Sequence, residues 1–116
     1  MRVQVKGKNV EVTPMIREYA ERKLSKLSKQ LADQTQVELE LSEQRNPSIP
    51  AHHVAEATIF AKGLTLRARE ASPDVRASID QLVDKLERQV KRYREMRRVE
   101  PRRHGAEGGS PTNDAA

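Results

Sequence analysis

Lys85, Arg88 and Arg92 recur at spacings of three and four residues inside DKLERQVKRYREMRR (84–98), so on a helix they share one flank. Asp80, Asp84 and Glu87 fall together on the other flank, which turns basic toward its C-terminal end through Lys91, Arg94 and Arg98. Upstream, Arg22, Lys26 and Lys29 stand at i, i+4 and i+7, with Lys23 at the border of the same helix's apolar stripe. Fixed rows of ammonium and guanidinium groups make charge-assisted hydrogen bonds to phosphates and release their counterions, which is the chemistry of polyanion binding. Helices lying side by side on one sheet would merge the two basic rows into a single field.

Other chemistry has little to stand on. His52 and His53 are adjacent, so on a strand they point to opposite faces and share no ligand, while His104 falls in a polar tail. No metal site is expected, and no cofactor. Glu38, Glu40 and Glu56 line one sheet face as solubilising charge. Glycine-rich phosphate loops between a strand and a helix are missing. The expectation is a binding protein and not an enzyme.

The ordinary alternative is that the basic rows are solvated faces, and cations near a helix C-terminus also favour the macrodipole. Solubility, however, is commonly served by interspersed signs, whereas here the signs are sorted on both helices. A coiled coil is disfavoured because Val83 and Val90 widen the apolar stripe beyond a heptad seam. A membrane surface is disfavoured too, since the apolar face is needed for the core and lacks Trp or Phe to insert.

Composition agrees with a polyanion partner. The 116 residues carry 34% charged side chains and a net charge of +5, a balance that favours an anionic partner, either nucleic acid or a membrane surface. Tyr19, Phe60 and Tyr93 are the only aromatic rings, which argues against readers that stack single-stranded bases. Cysteine is absent, so disulfides and thiolate metal sites are excluded. No apolar run resembles a signal peptide or a membrane span, and the reading is a soluble, cytoplasmic protein.

The elements that position these charges can be read from periodicity. RVQVK (2–6) alternates as a strand, and Gly7-Lys8-Asn9 supplies turn chemistry. Thr13-Pro14 is an N-cap followed by proline at the first helical position, and Ile16, Ala20, Leu24, Leu27 and Leu31 carry a helix to about Leu31. VELEL (37–41) alternates again, QRNPSIP (44–50) is a loop, and residues 52–61 and 64–70 form a hairpin around Lys62-Gly63. Ser72-Pro73 repeats the cap-proline device and starts a second helix that ends near Met96 or Arg98. Residues 99–116, with Pro101, Pro111 and three glycines, read as a disordered tail. The fold class is therefore α+β: a β-α-β-β-β-α two-layer sandwich, with two helices on one face of a four-stranded sheet, in a domain over 1–98.

Three segments, GKNVEVTPMIREYAERKLSKL (7–27), LRARE (66–70) and SIDQLVDKLERQVKRYR (78–94), resemble the ribosome hibernation-promoting factor family, also called ribosome-associated inhibitors or sigma-54 modulation proteins. The resemblance implies a fold similar to double-stranded RNA-binding domains. It implies a bacterial, cytoplasmic factor that binds the small ribosomal subunit and the 70S ribosome. The site implied is 16S rRNA in the channel for mRNA and tRNA, and the effect is inhibited translation in stationary phase or stress. The contact residues it implies are Arg22, Lys23, Lys26 and Lys29 of the first helix, with Lys85, Arg88, Lys91 and Arg92 of the second. Many relatives have Asp-Met-Tyr where this chain has Asp74-Val75-Arg76, so that aromatic is absent. Long relatives carry a C-terminal domain that pairs ribosomes into 100S dimers, and the tail resembles the linker to such a domain. The chain is then a short form or a piece of a long one. The rival functions are a general double-stranded RNA-binding module and a protein-interaction adaptor.

Overall fold

The computed structural model describes residues 1–44, 48 and 52–103, with 97–103 described as backbone only. Its order is β1 (Arg2–Lys8), α1 (Pro14–Leu24), a 3-10 helix (Ser25–Gln30), β2 (Gln36–Glu43), β3 (His53–Ala61), β4 (Leu64–Ser72) and α2 (Val75–Arg103). The strands form one mixed sheet in the order β1-β2-β3-β4. β1 and β2 run parallel because a helix carries the chain back between them, while β2, β3 and β4 are antiparallel neighbours. The expected α+β sandwich is what forms.

Alternation sets the two faces of the sheet. Val5, Val37, Leu39, Leu41, Ala55, Ala57, Ile59 and Ala68 point toward the helices and are buried. They meet Ala20, Leu24, Leu27, Ile79, Leu82, Val83, Leu86 and Val90 from the helical layer. α2 lies over β3 and β4, where Ala55, Ala57 and Ala68 are small enough for the helix to approach closely. The other face carries Gln4, Lys6, Glu38, Glu40, Glu56, Thr58, Arg67 and Arg69, so the three glutamates do share it.

Turn chemistry falls where backbone geometry requires it. Gly63 takes φ +76° in the two-residue β3–β4 turn, a conformation that side chains disfavour. Gly7 is required for space instead: a Cβ there would lie 2.3 Å from the Val10 carbonyl oxygen.

Several boundaries depart from the sequence reading: β1, β2 and β4 run on to Lys8, Glu43 and Ser72, and the helices and β3 differ as well. The first helix is α-helical only to Leu24 and then tightens to 3-10. Ser25 Oγ donates to Arg22 O and Ser28 Oγ to Ser25 O, both at 2.7 Å, and such bonds compete with the α-helical ladder. The second helix is capped by Asp74 and not by Ser72, whose residue still belongs to β4. Asp74 Oδ2 accepts the Ala77 N–H at 3.0 Å, and Ser72 Oγ accepts the Asp74 N–H at 3.0 Å, turning the chain from strand to helix. The first helix does start as expected, with Thr13 Oγ1 accepting from Ile16 N at 3.2 Å. β3 begins at His53, not His52. Finally, α2 continues through Arg103, past the predicted end near Arg98, although Pro101 removes one ladder donor. The predicted loop over 44–50, apart from Gln44 and Ser48, lies outside the described residues, as does the tail from His104 onward.

Candidate nucleic-acid interface

Which flank of α2 faces α1 decides whether the basic rows meet. Asp80 answers it: Tyr19 of α1 donates its phenolic proton to Asp80 Oδ1 at 2.5 Å, and Lys23 Nζ lies 3.3 Å from the same oxygen. Farther along, Arg94 Nη1 reaches Gln30 Oε1 at 3.4 Å. The flank bearing Asp80 and Arg94 therefore faces α1 and the 3-10 helix. The flank bearing Lys85 faces the β4 edge, where Lys85 Nζ pairs with Glu70 at 3.1 Å and donates to Arg69 O at 3.3 Å. Gln89 Nε2, one turn on, donates to Arg67 O at 3.1 Å.

The expected merger of the two basic rows is thus corrected. Over the first half of α2 an acidic strip, Asp80 with Asp84 and Glu87, stands between the cations of α1 and the row of Lys85, Arg88 and Arg92. Asp80 of that strip accepts from both Tyr19 and Lys23 of α1. Beyond Glu87 the same flank carries Lys91 and Arg94, and Arg94 reaches the 3-10 helix at Gln30, next to Lys29. Lys26 and Lys29 are exposed on that 3-10 helix, which packs against α2. The three-residue repeat of a 3-10 helix keeps Lys26 and Lys29 in line.

Arg22, Lys26, Lys29, Arg88, Lys91 and Arg92 are exposed, while Lys23 and Lys85 are half-buried beside their acidic partners. Three cations surround the Tyr19 ring: Arg22 at 5.5 Å, Lys23 at 5.8 Å and Arg76 at 5.3 Å from its centroid. The ionisation states follow from these contacts. Burial alone would raise the Asp80 carboxyl, but hydrogen bonds from Tyr19 and Lys23, with the nearby charge of Lys26, hold it below its ordinary value. Accepting that same hydrogen bond, the carboxylate raises Tyr19, and it raises Lys23 as well.

The expected separation of His52 and His53 also fails. His52 precedes the strand, so alternation does not govern it, and the two rings lie 4.4 Å apart. Among the described residues, no helix is long and apolar enough to cross a membrane.

A family model described as sigma 54 modulation protein / S30EA ribosomal protein matches residues 3–98. The chain belongs to that family. A ribosome hibernation promotion factor of Picosynechococcus is 40% identical over 96 residues, covering 82% of this chain and 50% of the relative. A ribosome hibernation promoting factor of Salmonella typhimurium is 32% identical over 95 residues, covering 82% of this chain and 95% of that protein. The N-terminal domain of Thermus thermophilus Protein Y superposes with TM-score 0.69 at 33% identity, over 80% of this chain and 99% of that domain. A ribosomal subunit interface protein from Coxiella burnetii gives TM-score 0.70 at 23% identity, which supports the shared fold. The chain spans about half the length of some curated relatives, at 50% and 54%, and nearly the whole of others.

Within this family domain, three contributors lie outside the candidate set. Tyr19, read in the sequence only as one of three aromatic rings, joins the helices. Arg76 and Arg94, left out of the candidate set, line the α1 side of α2. Their signal was present in the wheel, because both share the flank of Asp80.

Proposed function

We propose that the chain is a non-catalytic ribosome hibernation factor that binds the small ribosomal subunit and blocks translation in stationary phase or stress. The support for this is membership of the family together with exposed cations on both helices, Arg94 of α2 reaching Gln30 next to Lys29. Arg22, Lys23, Lys26, Lys29, Lys85, Arg88, Lys91 and Arg92 are the proposed contacts to 16S rRNA. Their partners are phosphates of structured RNA, recognised by spacing and shape with little reading of base edges. Bound in the mRNA and tRNA channel, a rigid domain excludes both ligands without chemistry. The setting is the bacterial cytoplasm and the bound forms are 30S and 70S; 100S dimers would need a further C-terminal domain.

The helix geometry selects the variants for the test. Lys85 also pairs with Glu70 and bonds the β4 edge, so its reversal would mix local packing with RNA contact. Reversing exposed Arg88, Lys91 and Arg92 to glutamate leaves the core untouched. In sucrose-gradient sedimentation the parent should travel with 30S and 70S particles, and its binding should weaken steeply with salt. The triple reversal should lose binding by at least tenfold while its thermal midpoint stays unchanged. Full binding by that variant would overturn the surface. Equal affinity for an arbitrary RNA duplex at matched salt would favour a general RNA-binding module, and a nuclease-resistant, salt-resistant complex with a protein would favour an adaptor.

A further inference from the structure

Glu43 closes β2 and His53 opens β3, and the two are direct cross-strand partners. By alternation, both side chains leave on the helix-bearing face, with the parity of Leu41 and Ala55. The backbone around them is held from two sides: Gln44 N–H donates to His52 O at 2.8 Å, and Ser78 Oγ of α2 donates to His53 O at 2.6 Å. On this frame, one ligand atom from each of Glu43, His52 and His53 falls within 4.8 Å of the other two. His52 Nε2 lies 3.5 Å from Glu43 Oε2. Tetrahedral ligands with bonds of about 2.0–2.1 Å stand roughly 3.4 Å apart, so this pair is already at ligand spacing. The two imidazoles are tilted by 39°, with their centroids 4.4 Å apart.

We propose that Glu43, His52 and His53 form a binding site for a borderline divalent transition-metal ion, with Zn2+ the first choice. Two neutral imidazoles and one carboxylate are a donor set that zinc accepts, leaving a fourth position for water or an incoming ligand. Hard cations such as Mg2+ prefer oxygen and are poorly served by two nitrogens. An ion pair between His52 and Glu43 accounts for two of the three groups and gives no reason for the second ring to converge on them. The site sits near Ser78 at the start of α2, whereas Lys91 and Arg94 lie about four turns along the same helix. Metal binding there does not draw on the proposed RNA contacts, and the inference stands whether or not those contacts hold.

Zn2+ titrated into the full chain in a non-chelating buffer near neutral pH, followed by calorimetry, should saturate at one ion per chain. His53→Ala and Glu43→Gln should each weaken binding at least tenfold, while His104→Ala leaves it unchanged. Because a variant could lose structure, imidazole resonances of the unaltered chain give a second readout: Zn2+ should shift those of His52 and His53. No saturable binding, an unchanged affinity in His53→Ala, or shifts confined to His104 would overturn the site. So would displacement of the zinc by equimolar Mg2+.

Discussion

Tyr19 and Asp80 show how one hydrogen bond settles the charge pattern of a surface. The bond sets the acidic flank of α2 against α1, with Asp80 at the seam between the helices. Its contribution is modest, about 1 kcal/mol, because 43% of the Asp80 side chain remains exposed and solvent screens it. Tyr19→Phe, which keeps the ring and removes the donor, should lower unfolding stability by that amount at neutral pH. The pH dependence has a definite sign. Asp80 is held below its ordinary value, so the stabilisation is complete above about pH 4 and is lost as the pH falls through the lowered value. Tyr19 is raised, so at the alkaline end the contribution persists below about pH 10 and is lost as the pH rises through the raised value. Denaturant melts of the parent and Tyr19→Phe should therefore converge in strong acid. A constant difference across pH would show that the ring and not the hydroxyl matters.

At the scale of elements, much was legible because local rules and tertiary packing agree. Val5, Leu39, Ile59 and Leu86 follow strict periods, and each is buried. Thr13-Pro14 reads as a helix start in sequence and is one in space. Ser72-Pro73 presents the same pattern but continues a strand, since Ser72 is paired with His53 in the sheet and its hydroxyl serves the turn. Sequence pattern cannot distinguish these cases, because the deciding neighbour is nineteen positions away in the chain. The true cap is testable: Asp74→Ala should cost about 1 kcal/mol in thermal unfolding, and Ser72→Ala should leave the start of α2 at Val75. The same limit applied to the candidate surface. Periodicity found the cations and put Lys85 and Lys91 on different flanks, yet which flank faces α1 shows only in the contacts with Tyr19 and Glu70. Likewise His52 and His53 were legible as neighbours, but their convergence with Glu43 depends on where β3 begins.

For the whole molecule, both margins of the sheet meet side chains from the helices above. On β1, Arg17 Nη1 donates to Val5 O at 2.9 Å. On β4, Lys85 and Gln89 are four residues apart on α2 and bond to Arg69 and Arg67, two apart on the strand. A helix advances about 6 Å over four residues and a strand about 6.8 Å over two, so the spacings match. The bonded carbonyls on β4 belong to residues whose polar groups turn away from β3 in the hairpin register. Left bare, such groups are a template for strands of another copy. Replacing Lys85 with methionine and Gln89 with leucine should raise light scattering on warming well above that of the parent, and equal scattering would refute the protective role. If that holds, Lys85 and its uncharged neighbour Gln89 let many copies crowd together without knitting into fibres.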